Sequence, residues 1–275
     1  MMSLLRRRTF LSISGLLACS FSLGGEEPSP DVLEPPAYDS FLIIPLRLHL
    51  LTASDLPEID CRLTDDDLAR ILRKVNGIWN KAGIHWGLES IVREPAARTD
   101  QFRLARELNG VVPLERYSML VPELTRLTSG INVYYIHKFS VNGVWMGGDF
   151  AMVQETAGLR PVEGGIDEPI PRVTAHELGH ALGLSHRQNR TNLLASGTTG
   201  TRLNTDEVAT ARRKALKIPG TLTVETLRKN AADATSQDSK DEARRLWNWL
   251  AEIPGDASKD ALRRRDEVGA PQETQ

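Results

Sequence analysis

Residues 176–186 read HELGHALGLSH, and residues 192–197, shortly after its last histidine, read NLLASG. On a helix of about 3.6 residues per turn, His176 and His180 fall one turn apart on one face. Two imidazoles so placed can hold one small cation without bending the backbone. Glu177 is rotated from His176 by roughly a hundred degrees. It sits close to such an ion but is poorly placed to share the ligand position, which suits a general base. Gly183 can adopt positive φ, ending the helix and turning the chain back. His186 can then approach as a third ligand from another direction. Half of the six histidines lie in this one stretch. Histidines scattered on a solvated helix end would not account for the glycine standing where the turn is needed.

Three neutral nitrogen ligands leave a tetrahedral dication one open position. With no thiol nearby, the donor set suits Zn²⁺.

Working outward, Phe41 to Leu51 (FLIIPLRLHLL) is an apolar strand, with Pro45 arguing for an edge position or a bulge. Thr64-Asp65-Asp66-Asp67 supplies a capping-box-like start. Leu68, Ile71, Leu72, Val75, Ile78 and Trp79 follow at helical spacing, and Gly83 closes the helix. Residues 84–92 form a second strand and 131–137 (INVYYIH) a third. Residues 103–128 look mainly helical, interrupted by Pro113 and Pro122. Short strands at 144–146 and 150–154 are split by Gly147-Gly148. Pro171 stands in the first turn of the motif helix, and Asn204 to Glu207 caps a further helix ending near Lys217. The order of elements is of α/β type. Beyond residue 218, Ala243, Leu246, Trp247, Leu250 and Ile253 make a helical apolar stripe, while Asp256 to Gln275 is charged and expected to be disordered.

The N-terminus reads as an export signal over residues 1–18: Arg6-Arg7-Arg8 precede a short apolar run, too short to span a membrane as a mature helix. Arg7-Arg8-x-Phe10-Leu11 resembles the twin-arginine signal, and a general secretory leader holding three arginines stays open beside it. Leu16-Leu17-Ala18-Cys19 resembles a bacterial lipobox, which implies a lipidated Cys19 as a membrane anchor. Residues 19–39, with four prolines, form a tether. The expected location is periplasmic, cell-surface or secreted. A net charge of −2 without a basic stripe argues against nucleic acid as a partner. Cys61 is the only other cysteine and, near a helix start, reads as a bystander rather than a latency thiolate.

His176, Glu177, His180, Gly183 and His186 together match the extended signature of the metzincin metalloproteases, and the chain resembles that clan over residues 40–218. The resemblance implies a twisted, mixed five-stranded sheet over an active-site helix, with a further C-terminal helix. It implies an exported zinc metallopeptidase in which Glu177 activates water at the metal. It also implies an edge strand that pairs with extended peptide. Val144, Trp145, Met146 and Gly147 are the expected substrate rim, although ordinary sheet packing explains Trp145 and Met146 equally well.

Three departures stand out. The clan's methionine turn carries Leu194 here, and all five methionines precede the motif. Leucine nearly conserves the volume. All four tyrosines also precede the motif, so none can serve after the turn. Arg187 matches no family-marking residue. Two enzymatic alternatives, an aminopeptidase and a peptidoglycan amidase, use the same centre. A catalytically silent zinc- and peptide-binding surface module is the alternative outside enzymes.

Overall fold

In the computed structural model, residues 33–110 and 112–268 are described. The leader, Cys19 and tether residues 20–32 lie outside them, as do residues 269–275.

Strand β1 (Leu42–Thr52) is buried almost throughout, as a near-continuous aliphatic run demands. It lies parallel to β2 (Ile84–Pro95) along its whole length and parallel to β3 (Ile131–Ile136) from Leu46 to Leu50. Beyond β3 come β5 (Phe150–Gln154), also parallel, and the antiparallel edge strand β4 (Gly143–Trp145). The main sheet is thus five-stranded in the order β2-β1-β3-β5-β4, and the two-residue β6 (Leu222–Thr223) pairs with the start of β1.

Pro45 therefore occupies an interior strand, not an edge. Its side of β1 is bare at that point, because β6 pairs only with Leu42 and Ile43 and β3 begins opposite Leu46. A missing N–H costs little in such a gap. Gly130 fits against it, since a Cβ there would lie 2.3 Å from the Pro45 carbonyl oxygen. The bulge expected near Pro45 falls one residue later, where Leu46 and Arg47 straddle a register shift against β2.

Alternate residues of β1 face opposite layers. Leu42, Ile44, Leu46, Leu48 and Leu50 enter a core with α1 (Asp65–Trp79) and α3 (Pro169–Ala181). Thr64 caps α1 through a complete capping box with Asp67, and Gly83 at φ 65° turns the chain into β2. On the other face, Leu51, Tyr134, Ile136, Phe150 and Met152 pack with α2 (Thr99–Asn109) and a 3-10 segment, Leu114–Leu120. The helical stretch expected over 103–128 is thus shorter and earlier: Pro113 and Pro122 bracket a single 3-10 segment, and residues 121–128 hold no helix.

After α4 (Thr205–Ala215) come three helices rather than one: α5 (Val224–Ser236), α6 (Lys240–Glu252) and α7 (Ser258–Glu267). They bury Ile43 of β1 and Phe41 just before it. Trp249 seats itself over Gly87, where a Cβ would meet the indole at 2.5 Å, and donates to the Leu88 carbonyl at 2.9 Å. The expected disorder from Asp256 onward is corrected as far as Val268. Ala261 is buried, Asp260 pairs with Arg263 and Arg264, and Arg264 lies over Trp247. Charge there is spaced at three and four residues, which supports a helix surface.

Candidate metal centre

Helix α3 begins with Pro169 and Pro171 in its first turn and runs under the sheet edge, so Ala175, Leu178 and Ala181 are buried. It stops where Gly183 takes φ 79°; the Gly183 N–H reaches His180 O and the Leu184 N–H reaches Gly179 O. His176 is buried, His180 half-buried and His186 exposed.

The ring hydrogen bonds fix the chemistry. His176 Nδ1 lies 2.8 Å from Leu193 O and His180 Nδ1 lies 2.8 Å from Leu184 O. A carbonyl oxygen only accepts, so His180 Nδ1 carries the proton. At His176 Nδ1 the Arg172 Nη1 donor also stands at 3.2 Å, but the Leu193 oxygen is nearer and holds the proton on Nδ1, leaving the Nε2 of both rings with a lone pair. Yet His180 Nε2 stands 3.2 Å from His176 Nε2 and 3.2 Å from His186 Nε2. The lone pairs of His176 and His180, facing each other at that distance, repel unless a cation lies between them. A tetrahedral ion with metal–nitrogen bonds of roughly 2.0–2.1 Å would hold its ligand atoms about 3.3 Å apart. Burial, and then the charge of Arg172, push the His176 pKa down to about 3, and burial lowers that of His180. Both rings are neutral and ready to ligate at neutral pH. The three histidines can hold a metal ion.

Glu177 leaves the helix toward β4. A Cβ on Gly143 would come within 2.9 Å of Glu177 Oε1, so this glycine lets the edge strand close onto the carboxylate. Burial raises the Glu177 pKa to about 8, against the lowering effects of the Trp145 backbone N–H and the Arg172 charge. A dication at the histidines would favour the ionised form. The three histidines, Glu177, Val144 and Trp145 line one cleft of about 770 Å³ with Leu159, Val173 and Ser196. Met146 and Gly147 do not line it; Met146 packs against the second-face core, beyond the end of β4. Of the four expected rim residues, the cleft is lined by Val144 and Trp145.

Leu194 is fully buried beneath α3, its methyls 3.2 and 3.3 Å from where a Cβ on Gly179 would stand. The turn is held by polar groups that sequence reading overlooked. Buried Arg172 donates to Gly200 O at 3.1 Å, to Asn192 O at 3.4 Å and to Ala195 O. Buried Glu207 accepts from Arg187 Nε at 2.6 Å and Asn192 Nδ2 at 2.8 Å, while Asn192 Oδ1 accepts from Leu194 N–H at 2.7 Å. Arg187 thereby anchors the residue after His186 to the turn that carries the Leu193 carbonyl. Two signals were present in the sequence. Arg172 stands one turn before His176 on the same face, and Glu207 is the third residue of a helix capped by Asn204.

No family model matches this chain, and no curated protein matches it. Among solved structures, one described as "Structure of a chaperone-substrate complex" is similar at 14% identity and a TM-score of 0.37, covering 65% of this chain and 36% of that one. The chain spans about a third of that structure's length, and so slight a likeness supports no statement about this chain.

Proposed function

We propose that the chain is an exported zinc-dependent peptidase of metzincin type, cleaving extended peptides in the cleft beside β4. The observation that carries this reading is the convergence of the Nε2 atoms of three histidines beside a buried carboxylate at a sheet edge. His176, His180 and His186 hold the ion, with Leu193 O and Leu184 O fixing the first two rings. A zinc ion held there supplies Lewis-acid polarisation of a carbonyl and makes a water acidic near neutral pH. Glu177 takes the proton from water and passes it to the departing amine. An edge strand offers unpaired backbone groups to an incoming chain. A peptide added along Gly143–Trp145 would run directly past Glu177, which favours internal bonds over free N-termini. The aminopeptidase and amidase alternatives share this centre and differ in the products they release. The catalytically silent module is supported by Leu194 and by the lack of a following tyrosine, and opposed by Glu177 lining the cleft. Export and lipid anchoring through Cys19 belong to the same proposal.

The test is cleavage of a peptide library by wild type and Glu177→Gln, with metal measured in each. Internal cleavage by wild type, lost by about 10²–10⁴-fold in a variant that keeps its metal, is the expected result. A metal-replete wild type that cleaves nothing would favour the silent module; release of single N-terminal residues would favour the aminopeptidase.

A further inference from the structure

A second cavity, of about 900 Å³, lies apart from the metal cleft and shares no lining residue with it. Leu33, Pro36, Tyr38, Phe41, Ile78 and Leu203 form its apolar walls. Lys81 and Arg202, both exposed, also line it, and no aspartate or glutamate does. Neither cation has an acidic partner among the described residues.

The walls are fixed. Tyr38 Oη donates to Leu250 O at 2.7 Å, and Arg212 donates to Ser40 O at 2.7 Å, holding the N-terminal segment in place. Opposite, Arg202 N–H reaches Thr191 O at 3.0 Å and Arg202 O accepts from Leu193 N–H at 2.8 Å. Gly77, inside α1, keeps the space open: a Cβ there would meet nothing within 4 Å. Glycine in a helix interior costs about 1 kcal/mol relative to alanine. No turn, close approach or positive φ at Gly77 calls for it.

We propose that this cavity binds a single-chain anionic amphiphile, a long-chain carboxylate, with its alkyl chain along the apolar walls and its head group at Lys81 and Arg202. The volume suits a small-molecule site, which typically spans roughly 300–1,000 Å³, with few polar groups setting orientation. Two cations in a lining without any acid favour a carboxylate over a neutral head group. This site is independent of the metal reading.

Calorimetric titration of the full chain with decanoate, dodecanoate and tetradecanoate, each below its micelle concentration, tests it. One ligand per chain is expected, with affinity rising about fourfold per added methylene. Gly77→Leu should fill the cavity and weaken dodecanoate binding at least tenfold while the circular dichroism stays that of wild type. The double change Lys81→Ala, Arg202→Ala, confined to exposed side chains, should abolish the preference for decanoate over decanol and leave decanol binding unchanged. Absence of saturable binding, equal wild-type affinity for decanoate and decanol, or unaltered binding in a folded Gly77→Leu would each overturn the proposal.

Discussion

The six histidines divide into two sets of three, and the contrast lies in what their ring nitrogens face. His49 is fully buried, with Nδ1 at 2.7 Å from Glu94 Oε1 and Nε2 at 3.0 Å from Asn132 Oδ1. His85 has Asn80 Oδ1 at 3.1 Å from its Nδ1, and His137 has Glu155 Oε1 at 2.5 Å. Each of these meets protein oxygen at Nδ1, His49 at both nitrogens, and none faces another histidine among the described residues. In the motif set, oxygen completes only the Nδ1 side of His176 and His180, and the Nε2 atoms point at one another. A satisfied histidine holds a fold together; an unsatisfied cluster calls for a ligand.

The largest expected effect breaks the comparison directly. Alanine at His176, His180 or His186 should remove stoichiometric metal, whereas His49→Ala should keep the metal and lose roughly 3 kcal/mol of stability, because Glu94 is left buried beside a void. Elemental analysis and denaturant unfolding separate the two outcomes. Next, Gly143→Ala should force the edge strand away from Glu177 and Val173, where the new methyl would lie 2.9 and 2.5 Å from side-chain atoms. A fall in kcat of about 10–100-fold with metal retained is the expected outcome in peptide assays. Third, Arg187→Ala should weaken metal affinity by about 10–100-fold, as loss of an outer support does, and Arg187→Lys should restore part of it. Competition with a chelator measures this.

A pH titration sharpens the same contrast. Burial lowers the His49 pKa below its ordinary value, although Glu94 and Asn132 pull the other way. Burial outweighs them, so the ring is neutral near pH 7 and donates through Nδ1 to the nearer oxygen of Glu94. That contribution is complete above about pH 6.5 and is lost as pH falls through the lower folded-state value. Unfolding free energy should drop on acidification even in metal-free protein, and His49→Gln should flatten that slope. The smallest effect belongs to Leu194→Met, which nearly conserves volume against Gly179 and should change stability by less than about 1.5 kcal/mol.

Much of the site was legible because it is local. Positions four apart on a helix share a face whatever surrounds them, so His176 and His180 could be paired from spacing alone, and Gly183 marked the turn. Capping at Thr64 and Asn204 was legible for the same reason. What stayed hidden depends on partners distant in sequence. Pro45 suggested an edge because the gap between β6 and β3 exists only once 222–223 and 131 have docked. The tail from Asp256 looked disordered because its anchors, Trp247 and Asn248, lie on the preceding helix. Arg172 and Glu207 were overlooked because charged residues are seldom fully buried unless paired, and their partners sit in an irregular loop. Gly143 carried no signal, since its role comes only from the carboxylate that faces it.

The central claim is that His176, His180 and His186 together hold a zinc ion. Elemental analysis of the purified chain, after exposure to equimolar Zn²⁺ near neutral pH and gel filtration, tests it most directly. One zinc per chain, removed by chelation and missing from His180→Ala, is the predicted result. A folded wild-type chain that emerges without zinc would contradict it.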